Sequence, residues 1–242
     1  MTLRTGRSFQ ALILALLGLF LLSRIWSGTV LFYINQRFVF LVFLAGLGFV
    51  ILAQVLYTER LSSQNGEGSP MNDSKSTLGW LAIPILIGLL VPARPLSPSA
   101  VVKRGVSLDA PISARIEDTA NLLSLSPTER TVLDWIRLFS FSENLQQFVG
   151  QPVDVTGFVF SDGRLSENQF MVGRFTITCC VADATALGMI AEYPKVIGLK
   201  QHSWVRVQGK IDLLERDGRL LPIIRAESVE AVAPPEQPYL FP

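Results

Sequence analysis

The sequence predicts a membrane α plus β protein: N-terminal transmembrane helices, then a small OB-like β-barrel domain preceded by short helices. Three observations predict it. Only 17% of the 242 residues are charged and 49% are hydrophobic, with a mean hydropathy of +0.39, whereas a soluble globular chain carries about 25% charge. Charge is missing in long blocks, all within the first hundred residues. From Gln151 onward the apolar pattern switches to a period of two, the signature of strands. This composition excludes a disordered chain and argues against an ordinary cytosolic domain.

The charge-free blocks cover residues 8–23, 38–58 and 76–93. As helices they reach roughly 24, 31 and 27 Å, at about 1.5 Å per residue. The hydrocarbon core of a bilayer is about 30 Å thick. The second block spans it directly, and the other two require snorkelling arginines or a thinned bilayer. A buried core helix is the alternative for the first block, as is a cleaved signal peptide built on Arg4, Arg7 and Ala11–Leu22. The stretch Ser23-Arg24-Ile25-Trp26 is a poor cleavage site, which favours a retained helix. Pro84 should kink the third helix, because it lacks a backbone donor. Trp26, Tyr33, Tyr57 and Trp80 lie at block ends, where interfacial aromatics belong.

The blocks hold no Asp, Glu, Lys, Arg or His, the groups a transport pathway normally needs inside a membrane. They therefore read as an anchor in the lipid bilayer, or as helices packed on another membrane protein. Ala45, Gly46 and Gly48 would allow close helix contact. Arg4 and Arg7 favour a cytoplasmic N-terminus, and three crossings then place the C-terminal domain outside the cytoplasm. The expected location is the plasma (inner) membrane, multi-pass.

The expected organisation is a membrane domain over 1–100, with a flexible Gly/Ser-rich loop over 59–75. Linker and short helices follow over 101–150, an OB-like domain over 151–233 and a Pro-rich tail over 234–242. Ser126-Pro127-Thr128-Glu129 reads as a helix start, with N-cap Ser126, Pro127 at N1 and Glu129 at N3. Val132, Leu133, Ile136, Leu138 and Phe139 follow at helical spacing, and a shorter helix covers Glu143–Phe148. Strands are expected near 153–159, 170–180, 188–193, 204–214 and 220–232, with Asp162-Gly163 and Asp217-Gly218 as turns. Five strands in so short a stretch suggest a small closed barrel, with half of a sandwich as the alternative. Gly157, Gly173, Gly188 and Gly209 could relieve its tight bends.

OB-like barrels often bind oligonucleotides by stacking, and Phe158, Phe160, Phe170 and Phe175 could supply the rings. The charge distribution opposes this. Seven basic residues face three acidic ones in the first hundred positions, and 14 face 17 in the rest. An acidic domain lacks the clustered Lys and Arg that nucleic acid requires, so no nucleic-acid partner is expected and the rings read as core.

The only cysteines, Cys179 and Cys180, are adjacent at the end of the second strand. Alternation along a strand would place Cys179 on the core face with Phe175 and Ile177, and Cys180 opposite with Arg174 and Thr176, the thiols pointing apart. A disulfide between neighbours is disfavoured: consecutive Cα atoms sit about 3.8 Å apart, below the roughly 4.4–6.8 Å that disulfides prefer. Three readings remain. The pair packs a strand end. Or Cys179, Cys180 and Asp183 bind a soft metal such as Zn or Cu, with His202 the one available imidazole. Or Cys180 beside Arg174 is a low-pKa redox thiol. No cofactor motif and no Ser-His-Asp set is evident, so no catalytic residue is assigned and the chain is read as non-enzymatic.

Several segments carry a family resemblance. They are Pro95-Leu96-Ser97 and Arg104-Gly105; Gly157-Phe-Val-Phe160; Asn168-Gln-Phe170; Arg174-Phe-Thr-Ile-Thr-Cys-Cys-Val-Ala-Asp183; and Trp204-Val-Arg-Val-Gln-Gly209. With apolar helices first, the chain resembles the two-component permease subunit family of bacterial membrane proteins throughout its length. The resemblance implies partnership with a separate multi-spanning permease and supplies no catalytic residues. Members often carry a His-rich loop between the second and third helices; Ser62–Ser76 here has no histidine. The resulting expectation is an accessory subunit whose extramembrane domain scaffolds, gates or presents solute. The alternative is a metal- or thiol-handling membrane protein acting through Cys179, Cys180 and Asp183.

Overall fold

A computed structural model of the chain describes residues 3–62, 75–107, 122–161, 163, 165–216 and 218–242. It divides into two units, residues 1–95 and 96–242.

The first unit is helical. Helix α1 covers Leu3–Trp26, α2 Val39–Ser62 and α3 Lys75–Leu90. Among the described residues, two windows are long and apolar enough to cross a membrane, Phe9–Trp26 and Gln36–Glu59. Gly28, at φ 69°, ends α1 in a left-handed conformation that suits glycine. The Asn35 side chain accepts the Arg37 N–H at 2.9 Å in the turn that leads into α2. Helix α3 runs through Pro84 and stops at Leu90, short of the expected residue 93, because Pro92 and Pro95 cannot continue it. Most of the expected 59–75 loop lies outside the described residues, and its first positions form the last turn of α2.

Small residues set the spacing of these helices. A Cβ on Gly18 of α1 would lie 2.7 Å from the Gly46 carbonyl oxygen of α2, so the two backbones meet directly. Gly88 of α3 receives the Phe20 ring, whose Cζ would sit 2.3 Å from an added Cβ. Beside it, the Arg24 guanidinium lies 4.8 Å from the Phe20 ring centroid and donates to the Gly88 carbonyl at 2.5 Å. That carbonyl needs an outside donor, because its intrahelical partner would be the N–H of residue 92, a proline. A cation there also suits the negative end of the α3 dipole.

The second unit opens with the short helix α4 (Val101–Arg104) and strand β1 (Val106–Ser107). Helix α5 spans Val132–Phe141. The expected start at Ser126 gives only a 3-10 turn, Pro127–Glu129, because Arg130 leaves it with extended backbone. Thr131 provides the cap: its hydroxyl accepts the Asp134 N–H at 3.3 Å, and Asp134 accepts the Thr131 N–H at 2.9 Å. The Glu143–Phe148 segment is a 3-10 turn over Leu145–Phe148.

Among the described residues six strands follow: β2 (Pro152–Phe160), β3 (Gln169–Thr176), β4 (Thr185–Glu192), β5 (Trp204–Arg216), β6 (Arg219–Ala231) and β7 (Tyr239–Leu240). β2 pairs antiparallel with β3, and β3 with β4. β4 pairs parallel with β6, β6 antiparallel with β5, and β5 with β2, so the hydrogen-bonded ladder returns to its start. β1 and β7 add parallel to β4 and β3. The expected β5–β6 hairpin is present, with Gly218 at φ 71° in its turn. Gly209 sits where the β5–β6 register shifts, and a Cβ there would lie 2.1 Å from the Arg225 carbonyl oxygen.

The core joins Val132, Trp135, Ile136 and Leu138 of α5 to Val153, Val155, Phe170, Val172, Val205 and Ile224 of the strands. A smaller cluster of Met171, Ile190 and Ile223, with Val106, Phe160 and Leu165 against it, covers the opposite face. β3 is consequently buried along its whole length rather than in alternation.

Candidate functional site: the Cys179–Asp183 turn and the Arg174 clamp

The ladder of β3 ends at Thr176, and Ile177 N–H donates to the Leu240 carbonyl at 3.2 Å. The chain then turns. Asp183 organises the turn: its carboxylate accepts backbone N–H groups from Thr178 at 3.2 Å, Cys179 at 2.7 Å and Cys180 at 3.4 Å. Asp183 N–H donates back to the Cys180 carbonyl at 3.0 Å. Three amides on one carboxylate form a tight anion-centred turn of the chain's own making.

Both cysteines are free thiols, Cys179 exposed and Cys180 half-buried. The expectation that Cys179 lies on the core face is therefore corrected, because side-chain alternation holds only while the chain is a strand. Desolvation, then the neighbouring Cys180 and Asp183, pushes the Cys179 thiol up from its ordinary value. That direction opposes an activated thiolate at this position. Among the described residues no three His, Cys, Asp or Glu side chains gather as a metal-ligand group. His202 lies in the β4–β5 connection at φ 64°, its N–H donating to the Val159 carbonyl at 2.8 Å.

Arg174 does not attend Cys180. Its Nε donates to the Pro238 carbonyl at 3.1 Å, and its Nη atoms donate to Gln237 at 2.8 Å and Thr156 at 3.3 Å. The guanidinium lies 5.2 Å from the Trp204 ring centroid and is 8% exposed. Burial pulls its pKa down to about 10. The clamp holds the tail, which adds strand β7 and buries Tyr239; the Tyr239 hydroxyl accepts the Leu96 N–H. The expected Pro-rich tail over 234–242 does carry a signal for docking, the aromatic Tyr239 directly after Pro238.

The four phenylalanines considered as stacking platforms are packing groups. Phe158, Phe170 and Phe175 are at most 2% exposed, and Phe160 packs against Met171, Ile190 and Ile223. Phe158 contacts Phe175 and Trp204 with ring centroids 5.1 and 5.9 Å apart.

An apolar-helix unit followed by a sheet unit defines the class: a two-part protein with, among the described residues, two helices long and apolar enough to cross a membrane. Residues 9–107 match the DUF1980 N-terminal domain and residues 121–242 the DUF1980 C-terminal domain, so the chain belongs to the DUF1980 family. Two curated relatives are similar. The "UPF0703 protein YcgQ" of Bacillus subtilis (strain 168) is 27% identical over 97 residues, 39% of this chain and 34% of the relative. That match thus spans about a third of the relative's length. The "Putative two-component membrane permease complex subunit" of Streptococcus mutans serotype c is 24% identical over 254 aligned positions, 89% of this chain and 92% of the relative.

Proposed function

We propose that this protein is a non-enzymatic, multi-pass accessory subunit of a permease complex in the plasma membrane. Its sheet unit is an extracytoplasmic, OB-like barrel that scaffolds, gates or presents solute to a separate multi-spanning partner. The observation that carries the subunit reading is the match along nearly the whole chain to a relative named as a permease complex subunit.

The topology rests on Arg24. Its bond to the Gly88 carbonyl sets the C-terminal ends of α1 and α3 level with one another. If α1 crosses the bilayer, α3 crosses beside it in the same direction, although its 16 residues reach only about 24 Å. Three crossings with Arg4 and Arg7 inside put the sheet unit outside. The OB-like reading is supported by the cycle of five paired strands with one parallel pair, β4–β6.

Purification of the tagged protein from native membranes in mild detergent, followed by mass spectrometry, tests the proposal. A near-stoichiometric multi-spanning permease is expected, and a solitary protein would overturn it. The side of the sheet unit is read separately. Cys179 is exposed and the helices contain no cysteine. A membrane-impermeant maleimide should therefore label intact cells, and labelling only after lysis would reverse the orientation.

A further inference from the structure

We propose that the sheet unit binds a small, neutral, polyhydroxy molecule of about monosaccharide size, in a cavity between the β2–β3 turn and the β4–β5 connection. The inference deepens the solute-presenting part of the reading above and rests on it only for the solute's onward route.

The cavity measures about 320 Å³, at the lower end of the roughly 300–1,000 Å³ of ligand sites. Its two walls are tied together before any ligand arrives. Gln201 accepts the Ser161 N–H through its amide oxygen at 3.2 Å and donates to the Ser161 carbonyl at 3.4 Å. Beside it the His202 N–H donates to the Val159 carbonyl, and the Val159 N–H to the Ser203 carbonyl, both at 2.8 Å. His202 holds φ 64°, a left-handed conformation that non-glycine residues rarely adopt and that gathers at ligand sites. Gln169 lines the cavity from β3 and is only 6% exposed. Its amide oxygen accepts the Ser166 N–H at 3.3 Å, and its amide nitrogen donates to Glu192 at 3.4 Å. Glu192 is paired with Arg225, and Arg225 with Asp212. The buried amide is thus oriented by a fixed chain of partners, the support a preorganised site needs.

The lining then selects the ligand class. The bonds above use one N–H and one oxygen lone pair of each carboxamide, which leaves one of each on Gln169 and Gln201. The Ser161 and Ser166 hydroxyls add groups that both donate and accept. Val159, Leu165 and Leu199 supply an apolar wall. Mixed donors and acceptors against an apolar wall match a sugar-like ring, whose hydroxyls do both and whose C–H face is apolar. Among the described lining residues Glu167 is the one charged group, and none is Lys or Arg. A phosphate or carboxylate ligand would find no counter-charge there. Glu167 is itself exposed, so water screens its carboxylate and the site does not require a cation.

The test is saturation-transfer-difference NMR on the full-length protein, in a detergent without a sugar headgroup. The neutral probes are glucose, galactose, mannose, N-acetylglucosamine and myo-inositol, and the charged ones are glucuronate and glucosamine. Transfer to at least one neutral probe is expected, and none to glucuronate. Ser166→Trp, which sets a ring at an exposed lining position, should abolish transfer. Gln201→Ala unties the two walls and should weaken binding about 10-fold, the scale of one hydrogen-bonded contact. Should the Trp chain fail to fold, the Gln201→Ala chain, altered at an exposed residue, carries the test alone. No transfer to any neutral probe, or undiminished transfer in the folded variants, would overturn the site. Transfer to glucosamine alone, lost in Glu167→Gln, would overturn the neutral class. Permease co-purification is read independently: sugar binding by a solitary chain would sink the subunit reading and leave this site, and a permease-bound chain blind to every probe would do the reverse.

Discussion

Arg174→Met would remove a buried cation while keeping most of its stem, and the structure gives the size of the effect. Desolvation pulls the Arg174 pKa down to about 10, and at about 1.4 kcal/mol per pH unit the charge costs roughly 3 kcal/mol in the fold. Against that stand three bonds to carbonyl oxygens, of Thr156, Gln237 and Pro238. Hydrogen bonds to charged groups contribute about 1.5–3 kcal/mol each. The Trp204 ring adds about 1 kcal/mol. The guanidinium therefore stabilises on balance, and its loss should cost roughly 3–5 kcal/mol. Two of the three acceptors belong to the tail and can regain water only by peeling away, so the loss should be local first. Hydrogen-exchange mass spectrometry should show loss of protection at Tyr239, Leu240 and Ile177, with a lowered denaturation midpoint. Arg174→Lys, which keeps the charge but not the planar fork, should fall between. Unchanged tail protection together with an unchanged midpoint would refute the clamp.

Other substitutions probe separate elements. Trp135→Ala empties a fully buried site that stacks on Phe139 and meets Phe148 edge-on, and should cost about 3–5 kcal/mol in a urea titration. Gly209→Ala should destabilise by at least about 2 kcal/mol, because its Cβ would fall 2.1 Å from the Arg225 carbonyl oxygen, whereas Gly48→Ala, with open space around it, should be near neutral. Asp154 is held below the ordinary carboxylate range by its bonds to Arg206 and Gln208. A depressed folded value means that this stabilisation is present above the unfolded value near 3.8 and fades as pH falls through the folded one. Asp154→Asn should therefore flatten the acid limb of the stability curve below about pH 4, by up to about 1 kcal/mol.

The sequence by itself determined what repeats locally. An unbroken apolar run marks a helix fit for lipid, so α1 and α2 were legible without coordinates. Period-two alternation and Asp-Gly turns similarly marked β2, β5 and β6, because each half-buried strand signals its own pattern. Tertiary structure decided what depends on distant neighbours. β3 is buried on both faces because Val106, Phe160 and Leu165 cover its second side, and no pattern within β3 announces that cover. β1 and β7 are two residues long, too short for a periodic signal, and pair with the stretches of β4 and β3 that β6 and β2 leave unpaired. Arg130 ended the expected helix start because its guanidinium reaches the carbonyls of Leu122, Leu123 and Leu125. The cysteine pair shows the division at one position. Sequence placed the two thiols side by side in the chain, but alternation failed there because Asp183 draws three amides onto one carboxylate and folds the strand end into a turn. Local periodicity is written in neighbouring residues, whereas a turn closed by a side chain, a tail held by a buried arginine and a carbonyl orphaned by a proline depend on which atoms meet after folding.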